Sequence, residues 1–250
     1  QSGEIYFQQW DGTFTKQTLD SGDAFEEDMG ALFFDVDGDG DLDLYVVSGG
    51  NEFQAGSPYY QDRLYVNEGG VFRLDAEVLP VSPVSGSCVV AADFDQDGDV
   101  DLFVGGRQSP QNYPRPGISK LLENRKGKLV DVTDERAPGL KEIGMVTSAI
   151  WSDIDNDGWK DLVVVGEWMP VSVFKNDQGF LRNITEELGL TPTRGWWNSI
   201  QGADVTNNGY TDFILGNLGL NSRYTTSSDA PLQVHMADFD NNGTEEGIIS

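Results

Sequence analysis

Asp35-Val-Asp37-Gly-Asp39-Gly-Asp41-Leu-Asp43 is the stretch on which the reading of this chain turns. It lies between two apolar runs, Ala31–Phe34 and Leu42–Val47. Carboxylates fall at loop positions one, three, five and nine, and Gly40 sits at position six. Alternation lets Asp35, Asp37 and Asp39 converge on one point, and Asp43 closes the set. Such a cage of oxygen ligands on a tight turn suits a hard cation such as calcium. Gly40 supplies a backbone angle that other residues adopt only at a cost. Asp41, at position seven, contributes its backbone carbonyl in this reading and leaves its side chain to water.

The motif returns four times. The second copy carries Asp93, Asp95, Asp97, Asp99 and Asp101, and the third carries Asp153, Asp155, Asp157, Trp159 and Asp161. The fourth keeps Asp204 and Asp212 but places Thr206, Asn208 and Tyr210 between them. The fifth runs through Asp238, Asp240, Asn242 and Thr244 to Glu246. Calcium is expected in the first three loops and in up to five. Magnesium is the second choice, since it prefers to keep its waters and a rigid octahedron. An EF-hand is the poorer reading, because β-branched runs rather than helices flank these loops.

The five loops hold five, five, four, two and four acidic residues, 20 of the 42 in the chain, against the single base Lys160. The net charge of −26 is therefore concentrated where a cation would neutralise it. Duplex nucleic acid is excluded as a partner, since phosphate binding needs basic patches. No stretch is long and apolar enough to span a membrane. The one cysteine, Cys88, has apolar neighbours and reads as a small buried thiol.

Loop starts at 35, 93 and 153 are 58 and 60 residues apart. A period of this size points to a propeller or another repeat array. The third unit shows the layout: a strand over Thr147–Ser152, the acidic loop, Asp161–Gly166, a break at Pro170, Val171–Asn176, a turn, and Phe180–Thr185. Four strands joined by short turns make one propeller blade. The expected fold is all-β, a β-propeller of four-stranded antiparallel blades, cut from a longer chain. The units are 1–20 (partial), 28–76, 86–134, 145–186, 198–225 (atypical) and 232–250 (partial). Helices are expected only as single turns.

The three full Asp-x-Asp-x-Asp-Gly-x-x-Asp loops, each followed by an apolar strand, resemble the FG-GAP/VCBS repeats that form the propeller of integrin α subunits. Gly166-Glu-Trp-Met-Pro, Gly195-Trp-Trp-Asn-Ser and Gly216-Asn-Leu-Gly-Leu-Asn look like the bacterial branch found beside ASPIC/UnbV-type domains. The resemblance implies a calcium-braced binding or adhesion module, extracellular, at the cell surface or in the periplasm, with further domains of the same chain as possible partners.

If the acidic loops join strands one and two, the links between strands two and three gather on the opposite face. Those links carry Asn51, Arg107, Glu167, Trp168, Asn217 and Arg223, a polar and aromatic mixture suited to a glycan or protein ligand in a concave site. Packed turn residues are the plainer reading. Trp196 and Trp197 are expected just before a first strand. No zinc set, nucleophile elbow or phosphate loop is present, and the lone His235 reads as a structural strand residue. A calcium-dependent lyase or glycosidase is the rival, with Arg107, Glu167 and Arg223 as its candidate catalysts, and a plain scaffold is the third option.

Overall fold

The computed structural model describes residues 3–19, 25–219, 224, 227, 230–240 and 245–250. Of the residues singled out above, Arg223, Asn242 and Thr244 lie outside the described residues. The fold is all-β. A hairpin of β1 (Glu4–Gln8) and β2 (Phe14–Thr18) precedes a four-stranded sheet of β3 (Glu27–Phe34), β4 (Asp43–Gly49), β5 (Arg63–Asn67) and β6 (Phe72–Leu74). The second sheet is β7 (Gly86–Ala92), β8 (Asp101–Gly106), β9 (Lys120–Asn124) and β10 (Leu129–Asp131). The third is β11 (Met145–Ser152), β12 (Asp161–Met169), β13 (Ser172–Asn176) and β14 (Leu181–Asn183). Two hairpins follow, β15 (Gly195–Ala203) with β16 (Asp212–Asn217), and β17 (Val234–Ala237) with β18 (Glu246–Ile249). All pairings between these strands are antiparallel, and every acidic loop joins two paired neighbours.

The second strand of each sheet is buried on both faces, and its alternation feeds two cores. On β12, Leu162 and Val164 enter a core shared with Phe94, Phe103 and Leu121 of the second sheet. Val163 and Val165, between them, enter a core with Ile200 and Phe213 of β15 and β16. β8 divides in the same way, Leu102 and Val104 to one side and Phe103 to the other. The sheets are thus stacked face to face, with a dry layer between each pair.

First strands lie side by side, β3 against β7, β7 against β11 and β11 against β15. Each carries a register shift at the same place, at Met29, Ser87, Thr147 and Asn198. Such a bulge bends the strand and re-aims its side chain. Two of these side chains reach the next sheet: Ser87 Oγ is 2.8 Å from Val146 O, and Thr147 Oγ1 is 2.8 Å from Trp197 O. The approach is close enough that a Cβ on Gly86 would stand 2.4 Å from Val47 Cγ1.

Two local expectations are corrected. Trp196 and Trp197 lie within β15, not before it. β12 runs long, and its Glu167 and Met169 pair with Trp196 and Gly195, which draws the strand start back and joins the third sheet to β15–β16. The fourth strand expected over Phe180–Thr185 stops at Asn183, as that of the second sheet stops at Asp131. Asp131 Oδ1 accepts from Thr133 N (3.0 Å) and Thr133 Oγ1 (2.6 Å), and the chain turns into the four-residue helix α1 (Thr133–Arg136). A side-chain carboxylate that mimics a backbone turn ends a strand in this way.

A second stitch repeats at the acidic end. β5, β9 and β13 each finish on an asparagine, Asn67, Asn124 and Asn176, whose Oδ1 caps the following turn by accepting from Gly70, Gly127 and Gly179 N–H at 2.8–2.9 Å. The amide of Asn124 then donates to Val36 O in the loop of the preceding sheet at 2.8 Å. Asn176 does the same to Phe94 O at 2.7 Å. Asn67 reaches only Leu42 O of its own loop. Asn124 and Asn176 are buried, so truncation strands a carbonyl and an N–H away from water. Asn124→Ala and Asn176→Ala should each lower unfolding free energy by about 1–3 kcal/mol, and Asn67→Ala by less. Urea unfolding midpoints check this; equal losses at all three positions would contradict the inter-sheet role.

Candidate metal sites and the opposite face

Each of the first four acidic loops is templated by its own side chains. Position one accepts two backbone N–H groups: Asp93 takes those of Asp97 and Gly98, both at 3.1 Å, and Asp153 those of Asp157 and Gly158, at 3.1 and 2.9 Å. Asp35 takes those of Gly38 and Gly40, at 2.7 and 3.0 Å, and Asp204 those of Asn208 and Gly209, at 3.1 and 2.8 Å. Position five accepts from position seven: Asp39 from Asp41, Asp97 from Asp99, Asp157 from Trp159 and Asn208 from Tyr210, at 2.8–2.9 Å. Glycine at position six has φ of 93°, 97°, 92° and 85° in the first four loops. Position four is left-handed as well, at Gly38, Gln96, Asn156 and Asn207. The sequence pattern at position four carries no uniform signal, since three residue types share that angle.

Position nine is the buried member. Asp43 accepts from Val36 N and Asn67 N, both at 2.8 Å. Asp101 accepts from Phe94 N (3.0 Å) and Asn124 N (2.7 Å), and Asp161 from Ile154 N (2.9 Å) and Asn176 N (2.7 Å). One carboxylate therefore ties the loop to the third strand. Burial pushes all three carboxyls above the usual carboxylate range, Asp101 to about 7, although their two N–H bonds pull the other way. Burial, then Asp97 and Glu123, raises Asp95 as well.

In four loops three carboxylates place oxygens within 4.8 Å of one another: Asp35, Asp37 and Asp39; Asp93, Asp95 and Asp101; Asp153, Asp155 and Asp161; Asp238, Asp240 and Glu246. Such groups are able to hold a cation. Asp95 Oδ1 is buried with no hydrogen-bond partner, a lone pair for which the protein itself provides nothing. The donor set is all oxygen, as a hard cation requires. The fourth loop differs, and no such trio forms there among the described residues. Thr206 brings a hydroxyl to 3.3 Å from Asp212 Oδ2, which also accepts from Val205 N (3.0 Å) and Thr206 N (3.2 Å). A donor stands where the other loops have a carboxylate.

At the far end of the strands three of the residues singled out for ligand binding come together. Arg107, which follows β8, is ion-paired with Glu167 near the end of β12, whose side chain is only 5% exposed. Tyr113 O–H donates to Glu167 Oε2 at 3.4 Å and accepts from Trp168 Nε1 at 2.9 Å. Trp168 has φ of 60° and packs its ring 5.4 Å from that of Trp196. A bulky residue held there costs on the order of 1–3 kcal/mol, and such outliers cluster at ligand clamps. Glu142, Met145, Glu167, Trp168, Pro170 and Arg194 line a cavity of about 840 Å³ beside it. Tyr113 was not singled out by sequence reading; an aromatic within the proline-containing link Gln108–Gly117 was its only signal. Asn51 accepts from Gln111 N at 2.6 Å, joining the first link to the second, whereas Asn217, at the end of β16, pairs across the strand with Trp197. Cys88 packs against the core between the second and third sheets, and burial lifts its thiol to about 11.

The raised carboxyls fix a pH dependence. The folded chain holds a proton on Asp101 up to about pH 7, and Asp43 and Asp161 are shifted in the same direction, whereas the unfolded chain releases these protons near pH 4. Stability then falls as pH rises from about 4 to 7. In chelator, the urea midpoint should be higher at pH 5 than at pH 7.5; a midpoint that rises with pH across this window would contradict the assignment.

Comparison with known proteins gives a consistent answer. A family model for the FG-GAP-like repeat matches residues 1–46 and 153–215. Cartilage acidic protein 1 of Mus musculus is 30% identical over 193 residues, covering 72% of this chain and 28% of that protein. The Homo sapiens protein of that name is 30% identical, with 72% and 27% covered, and that of Xenopus tropicalis 28% identical, with 69% and 27% covered. The chain spans little more than a quarter of the length of these relatives. The second acidic loop, Asp93–Asp101, falls outside the matched segments yet repeats the hydrogen bonds of the third. The chain therefore carries FG-GAP-like repeats in these two segments.

Proposed function

We propose that this chain is part of a calcium-braced β-propeller, an extracellular module that holds a glycan or protein ligand on the face opposite its acidic loops. The observation that carries the reading is the trio of carboxylates recurring at one end of successive, face-to-face sheets. Repulsion within each trio favours a divalent cation. Asp35, Asp37, Asp39 and Asp43 would hold it in the first loop, Asp93, Asp95, Asp97 and Asp101 in the second, Asp153, Asp155, Asp157 and Asp161 in the third, and Asp238, Asp240 and Glu246 in the fifth. Its role is to neutralise the corner and fix the turn between two strands. First strands lying side by side support radial stacking around an axis. The relatives' name, cartilage acidic protein, supports an extracellular setting. Among the described residues no helix is long and apolar enough to cross a membrane.

The ligand reading rests on the cavity beside Trp168. Its volume is within the usual range for ligand sites, and polar groups converge on an aromatic platform there. The rival reading, a polysaccharide-degrading enzyme, is weakened because Arg107 and Glu167 are spent on each other between two sheets.

Melting with calcium and with chelator tests the cation. Calcium at 100 times its dissociation constant adds about 2.7 kcal/mol per site, or about 5–10 °C for a chain of this size. Magnesium at equal concentration should do far less, and superimposable melting curves would contradict the reading. For the ligand face, a panel of extracellular glycans and matrix proteins should include one bound by the native chain and lost in Trp168→Ala. Turnover of a polysaccharide in place of simple binding would favour the rival.

A further inference from the structure

Three sheets have a complete third strand, and each places a different residue beside its acidic loop. The position is fixed by register: it is the residue before the asparagine whose N–H grips position nine. In the first sheet it is Val66, which brings no charge. In the second it is Glu123, a buried carboxylate tied to Arg125 at 2.6 and 3.2 Å. In the third it is Lys175. Its ammonium is ion-paired with Asp155 and lies 2.7 Å from Asp157 Oδ2. The lysine side chain is only 26% exposed, so it is committed to the loop rather than to solvent.

Asp155 belongs to the carboxylate trio of the third loop and Asp157 is its position-five member. A cation arriving there meets an ammonium bonded to its own ligands, whereas among the described residues no Lys or Arg side chain is paired with a carboxylate of the first or second loop. It must displace the ammonium or share oxygens with it. We propose that Lys175 is a built-in counter-ion of the third loop, which therefore binds divalent cations more weakly than the first two and keeps its shape without one. The inference rests on the cation reading of the acidic loops, but it concerns a difference among them. A unit charge about 4 Å from a divalent ion in an exposed site repels it strongly enough to weaken binding roughly ten- to hundredfold. In the second loop Glu123 adds its charge to the negative field on Asp95, and its ion-pair partner Arg125 offsets part of it.

Trp159 occupies position seven of this loop alone, where the first two have Asp41 and Asp99. Its indole can sensitise the luminescence of terbium bound beside it, which makes terbium a probe of the third loop within the whole chain. Trp159→Phe identifies the part of the signal that comes from this site. We expect Lys175→Met to bring the terbium midpoint down by about tenfold or more, with Lys175→Arg staying close to the native value. Calorimetry with calcium should show one weak site become tight in Lys175→Met. In chelator the same variant should melt below the native chain, because Asp155 and Asp157 lose their partner. An unchanged or higher terbium midpoint in Lys175→Met overturns the inference. So does calcium bound elsewhere in both proteins with no terbium signal from Trp159 in either. If neither protein binds calcium at all, the cation reading fails and the inference falls with it.

Discussion

A buried aspartate accepting one N–H from its own loop and one from the third strand is the interaction on which the rest of this structure depends. Asp43, Asp101 and Asp161 each do this. Removing such a carboxylate from water is costly, and two backbone donors offset only part of the cost. The remainder is visible as carboxyl groups held above their usual range. The same contact sets the register of the third strand, which places Asn124 and Asn176 where their amides reach the preceding loop. Loop, strand and neighbouring sheet are therefore fixed by one residue, and the acidic corner must be well formed for the sheets to stack.

The acidic corners were legible because their ligands are local. Alternating aspartates with glycine at position six specify the turn within nine residues, and the apolar runs on either side specify buried strands. The end-of-strand asparagines were visible as letters, in Asn67-Glu-Gly-Gly, Asn124-Arg-Lys-Gly and Asn176-Asp-Gln-Gly, but their second bond joins residues 82 and 88 positions apart. No local pattern encodes such a partner. The pairing of Arg107 with Glu167 and the seat of Lys175 were hidden for the same reason. Trp196 was misplaced because the start of β15 is decided by the overhang of β12, a tertiary effect that overrides local signals.

The two ends of the stacked sheets differ in kind. One end repeats, with the same hydrogen bonds in loop after loop and the same glycine angle. The other end varies: the link after β4 runs from Gly50 to Asp62, that after β8 from Arg107 to Ser119, and that after β12 is only Pro170 and Val171. Variable links on a repeated scaffold are where binding residues are commonly placed. The strained Trp168, locked to Tyr113 and packed on Trp196, has its orientation fixed by the chain itself.

Diffraction from crystals grown in calcium, with anomalous differences measured at each acidic loop, tests the central claim most directly. A peak is expected inside the Asp35, Asp93 and Asp153 loops, ligated by oxygens of positions one, three, five and nine, with the position-nine aspartate still gripping its two N–H groups. Loops that hold only water in such crystals, or an ion bound away from these carboxylates, would contradict it.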